Sequence, residues 1–179
     1  MADRREFIPL HIAILTVSDT RNMADDKSGQ VLQDRVTAAG HSVADRQITK
    51  DDVGKIRRIV KAWGKRPDLD VIISTGGTGL TGRDVTIEAM RPLFEKEIEG
   101  FSTLFHMISF SKIGTSTVQS RATAGVMKGK YIFCLPGSPG ACRDAWDEIL
   151  KYQLDYRHPP CNFVEIMPRL EEHQRRKKG

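Results

Sequence analysis

The chain of 179 residues carries 28 Lys and Arg against 23 Asp and Glu, for a formal net charge of +5, and 39% of its residues are hydrophobic. This length fits one domain, since domains typically take roughly 100–200 residues, and the hydrophobic content excludes a disordered chain. The longest nearly apolar run, residues 11–17, is far shorter than the roughly 20 residues that cross a bilayer, and the N-terminus shows no signal-peptide pattern. We therefore expect a globular protein of the cytoplasm that has no membrane partner.

The positive charge is concentrated at the C-terminus. Residues 169–179 hold five Lys or Arg and two Glu, so they account for +3 of the net charge of +5. We expect this basic tail to be mobile. No nucleic-acid partner is expected, because most aromatic residues fall on predicted helix faces and do not alternate with surface cations. The three cysteines form no C-x-x-C pair and the five histidines lack metal-ligand spacing, which excludes a disulfide framework and a zinc site.

The predicted secondary structure is that of an α/β protein, because short β-branched apolar runs alternate with segments of helical spacing. The predicted strands are Ile12–Val17, Val43–Ile48, Val71–Ser74 and Tyr131–Leu135. The predicted helices include Ser28–Ala39 and Gly140–Gln153. Another helix is capped by Asp51 or Asp52 and ends near Trp63. Two or three short helices are predicted between Thr86 and Phe110, with interruptions at Pro92 and Gly100. One domain over residues 1–168 is expected, with an irregular C-terminal arm from about residue 155, since the prolines there exclude a helix.

The segment 74–86, directly after the third predicted strand, is the most informative one. Four of its residues are glycines, Gly76, Gly77, Gly79 and Gly82, which allow positive φ and let backbone N–H groups approach an anion closely. Because ligands of open α/β sheets bind beyond the carboxyl ends of the strands, this loop predicts a phosphate site. A tight turn without a ligand fits one glycine better than four. The dinucleotide fingerprint is matched only weakly, and a P-loop is excluded because its Lys is missing.

Asp84 lies beside this loop, where its negative charge would repel a phosphate. A divalent cation removes the conflict, because Mg²⁺ binds one or two carboxylates together with substrate phosphates. Capping of the helix that begins near Thr86 is an equal alternative for Asp84. The spacing alone leaves both interpretations open.

Two more polar loops follow predicted strands. Residues 135–140 read Leu-Pro-Gly-Ser-Pro-Gly and precede a helix whose N-terminus attracts anions, and residues 18–29 are rich in polar side chains. If the strands are parallel, all three loops converge on one cleft.

The motifs Thr75–Gly79, Arg83–Thr86 and Pro136–Pro139 together resemble those of the MoaB/MogA family of molybdenum-cofactor biosynthesis, in particular its MoaB branch. The likeness covers nearly the whole chain. It implies a three-layer α/β/α domain around a mainly parallel sheet, assembled into trimers or hexamers, that binds molybdopterin. Catalytic members are adenylyltransferases, which transfer AMP from ATP to the phosphate of molybdopterin with Mg²⁺ and release pyrophosphate. A non-catalytic molybdopterin carrier is the alternative function.

The resemblance also implies roles for individual residues. Asp84 takes the place of a catalytic acid that holds Mg²⁺, and Asp51 takes the place of the second acid, with Asp52 as the alternative one residue on. For Arg121, an ion pair within the protein is an equal alternative to a substrate contact. The residues expected to bind the phosphates and the pterin are Ser18, Asp19, Thr75, Gly76, Gly77, Thr78, Gly79, Ser120, Arg121, Pro136, Gly137 and Ser138.

Overall fold

The computed structural model describes residues 5–175 and is built around a six-stranded sheet. The strands are β1 His11–Val17, β2 Ser42–Thr49, β3 Val71–Thr75, β4 Lys96–Glu97, β5 Thr123–Met127 and β6 Lys130–Leu135. Their spatial order is β2-β1-β3-β6-β5-β4. The first four in this order are mutually parallel, whereas β5 pairs antiparallel with both β6 and β4. The sheet is therefore mainly parallel, as predicted.

Helices connect the strands. The α-helices are α1 Lys27–Ala38, α2 Val53–Gly64, α3 Thr86–Met90, α4 Glu99–Ile113, α5 Pro139–Ala145, α6 Lys151–Gln153, α7 Phe163–Ile166 and α8 Glu172–Arg175. A π-helical turn, Trp146–Leu150, joins α5 to α6, so that the predicted helix Gly140–Gln153 is one continuous element with a π turn inside it. Within residues 5–175, every helix is too short or too polar to cross a lipid bilayer.

Apolar side chains cover both faces of the sheet. Successive residues of β1 point to opposite faces, so Ile12 and Ile14 pack with α1, α4 and α5, while Ala13 and Leu15 pack with α2 and α3. All four side chains are fully buried. This arrangement confirms the three-layer α/β/α fold, and parallel strands covered on both faces explain why their sequences are continuous apolar runs.

The prediction missed two strands, β4 and β5. β5 is short and carries Gly125 at its centre, where an added Cβ would lie 2.2 Å from the ring of Phe94. Lys128 and Gly129, both at positive φ, form the turn that returns the chain from β5 to β6. A glycine within a five-residue run hides the strand pattern, so the antiparallel half of the sheet was not visible in the sequence.

The helix break predicted at Gly100 is wrong. Gly100 lies in the first turn of α4, where backbone N–H groups need no partner inside the helix and a glycine does little harm. The break predicted at Pro92 is confirmed, since α3 ends at Met90 and a 3₁₀ turn, Arg91–Leu93, follows it.

The prediction of an irregular C-terminal arm is wrong beyond residue 162, where short helical turns replace it. Asn162 caps α7 by accepting a hydrogen bond from the backbone N–H of Glu165, and the ring of Phe163 lies 4.8 Å from that of Tyr131. These turns are too short for a periodic sequence signal. Of the predicted basic tail, residues 176–179 lie outside the described residues, and the mobility of the tail and the domain limits stay predictions.

Candidate functional site

The parallel strands place three loops at one edge of the sheet, as the sequence predicts. Loops follow β1, β3 and β6 at their carboxyl ends, and the turn from β2 into α2 joins them. Together they enclose a cleft of about 480 Å³. Its lining residues are Val17, Ser18, Thr20, Arg21, Asp51, Gly76, Gly77, Asp84, Gly137, Ser138 and Pro139.

The glycine-rich loop between β3 and α3, residues 76–85, is called the glycine loop below. It is fixed by its contacts with the two strands that flank β3. Gly76 has φ +93°, and an added Cβ would lie 2.2 Å from the carbonyl oxygen of Val17, so only glycine fits this position. The N–H of Gly76 donates to the carbonyl of Leu135, and Thr86 Oγ1 donates to the carbonyl of Gly76 at 2.8 Å. The loop is therefore held at both sides, and it forms part of the wall of the cleft.

The loop after β6 lies directly against the glycine loop. An added Cβ on Gly137 would lie 3.1 Å from Gly76 Cα, which shows how closely the two backbones approach. Thr75 Oγ1 donates to the carbonyl of Pro136 at 2.9 Å, and Ser138 Oγ caps α5 by accepting from the N–H of Ala141. The Thr75 side chain, predicted to contact substrate, thus has a structural partner, whereas Gly137 and Ser138 line the cleft.

Asp51 and Asp52 have different positions, which separates the two alternatives for the second acid geometrically. Asp52 is the N-cap of α2, and its Oδ1 accepts from the N–H of Lys55 at 2.7 Å. Asp51 faces the cleft, where its Oδ1 would lie 2.6 Å from a Cβ placed on Gly77. The backbone N–H of Asp51 donates to Asp19 Oδ1 at 3.2 Å. Of the two acids, Asp51 is therefore the one that lines the cleft.

Asp84 lies near the end of the glycine loop, two residues before α3. Its Oδ2 accepts from the N–H of Thr81 at 2.9 Å and from Thr81 Oγ1 at 2.6 Å, and it would lie 2.7 Å from a Cβ on Gly79. The N-cap of α3 is Val85, with no side-chain cap bond. Capping of this helix is thus not the role of Asp84, and its carboxylate faces the cleft.

The two carboxyl groups of the cleft differ electrostatically. The hydroxyl and N–H of Thr81 hold the pKa of Asp84 below its ordinary value, because both stabilise the ionised form. Partial burial raises the pKa of Asp51, and the nearby charges of Asp19 and Asp84 raise it further. The surroundings therefore favour the ionised form of Asp84 and oppose the ionised form of Asp51.

An ion pair between Arg83 and Asp19 lies beside the cleft, where Asp19 lines the adjoining cavity. Both Arg83 Nε, at 3.1 Å, and Arg83 Nη2 donate to Asp19 Oδ2, which links the loop after β3 to the loop after β1. The guanidinium lowers the pKa of Asp19. The Arg83 side chain is 74% exposed, so this pair lies at the surface.

Ser120 and Arg121 are not among the residues that line the cleft. They line a separate cavity of about 190 Å³ between α3, α4 and β5. Arg121 donates to the carbonyls of Thr78 and Gly79, both at 2.8 Å, and pairs with Glu88 at 2.5 Å. Its contacts are those of the alternative prediction, an ion pair within the protein, and they support the glycine loop from behind. Thr78 is itself buried.

The sequence interpretation did not single out Arg21 and Ser28, which couple two of the loops. Arg21 Nη1 donates to the carbonyl of Gly137 and to Ser28 Oγ, both at 3.1 Å, and Ser28 Oγ donates to the same carbonyl at 2.6 Å. The only signal for them was their place in a polar loop after a strand. A second cavity, of about 520 Å³, adjoins the cleft and shares Ser18 and Arg21 with it. Asp19 lines that second cavity.

The donor set of the cleft fits Mg²⁺ and does not fit a metal held by protein side chains alone. Among residues 5–175, no three or more Asp, Glu, His or Cys side chains are grouped so that they could hold a metal ion. Mg²⁺ typically takes one or two protein carboxylates and completes its shell with substrate phosphates and water. Asp51 and Asp84, both lining the cleft, match that requirement.

Comparison with known proteins gives consistent matches. Residues 13–156 match a family model described as "Probable molybdopterin binding domain". Molybdenum cofactor biosynthesis protein B of Escherichia coli (strain K12) is 53% identical over 158 residues, which are 88% of this chain and 93% of that protein. The protein of the same name from Bacillus anthracis is 46% identical over 144 residues, 80% of this chain and 85% of its own.

Solved structures agree with the sequence matches. A crystal structure of a Molybdenum cofactor biosynthesis protein B superimposes with a TM-score of 0.84 at 40% identity, over 94% of this chain and 99% of the other. The tungsten cofactor synthesizing protein MoaB from Pyrococcus furiosus superimposes with a TM-score of 0.71 at 34% identity, over 79% and 91% of the two chains. The chain therefore belongs to the MoaB/MogA family of molybdenum cofactor biosynthesis proteins and has its molybdopterin-binding domain.

Proposed function

We propose that this protein binds molybdopterin at the cleft and adenylylates it, with ATP as the donor of AMP and Mg²⁺ as the metal. The observation that supports this proposal is the position of Asp51 and Asp84, whose carboxylates lie against Gly77 and Gly79 of one loop. The cleft and its adjoining cavity, about 480 and 520 Å³, offer space for two substrates. ATP as substrate suits the cytoplasmic location that the sequence predicts.

The transfer needs no nucleophile from the protein. A phosphate oxygen of molybdopterin attacks the α-phosphorus of ATP and forms a new P–O bond, while the bond from the α-phosphorus to the α,β-bridging oxygen breaks. Pyrophosphate leaves with that electron pair. Bound Mg²⁺ supplies charge neutralisation on the phosphates. The protein itself has to position the substrates and place hydrogen-bond donors where negative charge develops.

Specific groups of the cleft meet these requirements. The backbone N–H groups of the glycine loop are suited to donate to phosphate oxygens. The bonds from Thr81 lower the pKa of Asp84 and so favour the ionised carboxylate that a cation requires. Asp51 has a raised pKa, and positive charge beside it favours its ionised form.

Asp84→Asn tests the proposal. We expect turnover to fall at least about a hundredfold, because the neutral amide cannot hold the metal, while molybdopterin affinity stays within about threefold. The measurement is the formation of adenylylated molybdopterin and pyrophosphate from molybdopterin, ATP and Mg²⁺. Asp51→Asn should behave alike. Asp52→Asn is the matched control, since asparagine also caps helices, and it should keep the wild-type rate. A wild-type rate in Asp84→Asn would refute the role of this residue.

The same cleft also suits a second function, that of a molybdopterin carrier. A carrier would bind molybdopterin in this cleft without transferring AMP. The assay separates the two functions. Tight binding of molybdopterin by the wild-type protein, with no adenylylated product at saturating ATP and Mg²⁺, would establish the carrier.

We also propose that the chain forms a trimer or a hexamer, and α4 offers a surface for this. Exposed apolar side chains extend along α4 and the 3₁₀ turn after it, and such a patch on a folded protein commonly marks an interface. They are Leu104, Met107, Phe110, Ile113 and Val118. Light scattering of the purified protein should give three or six times the mass of one chain, and Met107→Glu should lower it. A monomer at all concentrations would refute the assembly.

A further inference from the structure

Arg83 is the arginine at the cleft that is free to change partners. Arg21 is engaged with a backbone carbonyl and a serine, and Arg121 supports the glycine loop from behind. Arg83, by contrast, is 74% exposed, and within residues 5–175 its guanidinium bonds one oxygen of one carboxylate, Asp19 Oδ2. Exposed ion pairs of this kind add little stability, so exchanging the carboxylate for another anion costs little.

Arg83 lies close to the acids that are expected to hold the metal and the phosphates of the nucleotide. It is adjacent to Asp84 in the loop after β3, and its partner Asp19 also accepts the N–H of Asp51. The charges of Asp19 and Asp51 both act on this guanidinium, and Asp84 is the next residue in the chain. A polyphosphate that enters here meets repulsion from all three carboxylates unless Arg83 turns towards it.

We propose that Arg83 exchanges Asp19 for the outer phosphates of the nucleotide, so that it contacts the pyrophosphate part of ATP and Asp19 is its partner in the empty cleft. This inference rests on the proposed adenylyl transfer. Arg83 is exposed and lies outside the residues that line the cleft, whereas Gly76 and Gly77 line it, so the proposal places the guanidinium at the outer β- and γ-phosphates and not at the AMP portion. A guanidinium is well suited to this contact because its planar donors match phosphate oxygens in pairs.

The proposal predicts opposite effects for the two partners of the ion pair. Arg83→Gln should weaken binding of Mg²⁺·α,β-methylene-ATP, which cannot be cleaved at the reacting bond, by about tenfold or more. Asp19→Asn should strengthen it about threefold, because the competing carboxylate is gone while the amide oxygen still accepts the N–H of Asp51. In the Arg83→Gln variant, Asp19→Asn should raise the affinity for the ATP analogue clearly less than it does in the wild-type protein.

Calorimetric titration of the full-length protein gives these affinities, and three controls sharpen the result. Binding of AMP, which lacks the outer phosphates, should change less than about twofold in Arg83→Gln. Arg83→Lys keeps the charge but not the paired donors, so its affinity for the ATP analogue should lie between those of Arg83→Gln and wild type. Arg66→Gln removes ion pairs with Asp68 and Asp45, just before β3 at the opposite edge of the sheet, and should have no effect on binding of the ATP analogue. Thermal melting confirms that each variant is folded.

Three outcomes would overturn the inference. Equal affinity of Arg83→Gln and wild type for the ATP analogue would refute the contact while leaving adenylyl transfer intact. An equal gain from Asp19→Asn in both backgrounds would refute the exchange of partners. If the wild-type protein binds molybdopterin but not the ATP analogue, adenylyl transfer itself fails and the inference fails with it.

Discussion

The two edges of the parallel sheet use their polar groups differently. At the amino ends of the strands, polar side chains bond to the backbone that begins the neighbouring strand. Asp70 Oδ2 accepts from the N–H of His11 at 2.8 Å, and the buried Lys130 Nζ donates to the carbonyl of Leu69 at 2.8 Å. His41 Nδ1 accepts from the N–H of Leu10. These bonds fix where the strands start.

At the carboxyl ends, three acids from different loops lie close to one another. Asp19, Asp51 and Asp84 all lie at the cleft or its adjoining cavity, and Asp51 has a raised pKa partly because of the other two. Such crowding of like charges stabilises nothing by itself. The comparison indicates that polar side chains fix the strand starts at the amino edge, while at the carboxyl edge backbone contacts hold the loops and bring three like charges together.

Gly76→Ala should have the largest effect, because it disturbs both the fold and the site. The residue has φ +93°, and the new Cβ would lie 2.2 Å from the backbone oxygen of Val17, which cannot move without displacing β1. We expect the free energy of unfolding to fall by more than about 2 kcal/mol, as judged from the cost of strained backbone and a clash. Urea unfolding measures this.

Gly82→Ala is the matched control for Gly76→Ala. It lies in the same loop, but an added Cβ there meets nothing within 4 Å. Its stability should stay within about 0.5 kcal/mol of wild type, as for most surface substitutions. Equal stability of the two alanine variants would show that the loop is not fixed against β1 as described.

The sequence predicts the parallel half of the molecule because its physical causes are local. A strand such as Val71–Thr75 is covered on both faces and is therefore a continuous apolar run. Loops at the carboxyl ends of such strands must share one edge, so the convergence on a cleft followed from the pattern alone.

The remaining features depend on contacts between distant segments. Asp51 and Asp52 are adjacent and chemically identical, so the sequence does not distinguish them. The hydrogen bond from the N–H of Lys55 shows that Asp52 is the N-cap of α2. The contacts of Arg121 with the glycine loop join residues more than 40 positions apart. No local pattern encodes such contacts, which is why the direction of this side chain could not be predicted.

His41 offers a smaller test of the amino edge, through the dependence of stability on pH. Its ring is buried, with its centre 5.0 Å from that of Phe7 and 6.2 Å from that of Trp146. Burial lowers its pKa below 6.5, although Asp155 and Asp70 act in the opposite direction. The unfolded chain therefore takes up the proton more readily than the folded protein. Stability should be complete above about pH 6.5 and should decrease as the pH falls below that value.

The expected slope from this one group is at most about 1.4 kcal/mol per pH unit, the limit for a single proton. His41→Asn removes the titrating ring but keeps an acceptor oxygen near the N–H of Leu10. Urea midpoints at about pH 8 and about pH 5.5 should therefore differ less in this variant than in wild type. Val36→Ala, which destabilises the core without removing a titratable group, should keep the wild-type difference. If His41→Asn also keeps the wild-type difference between the two urea midpoints, the buried ring of His41 does not cause the loss of stability in acid.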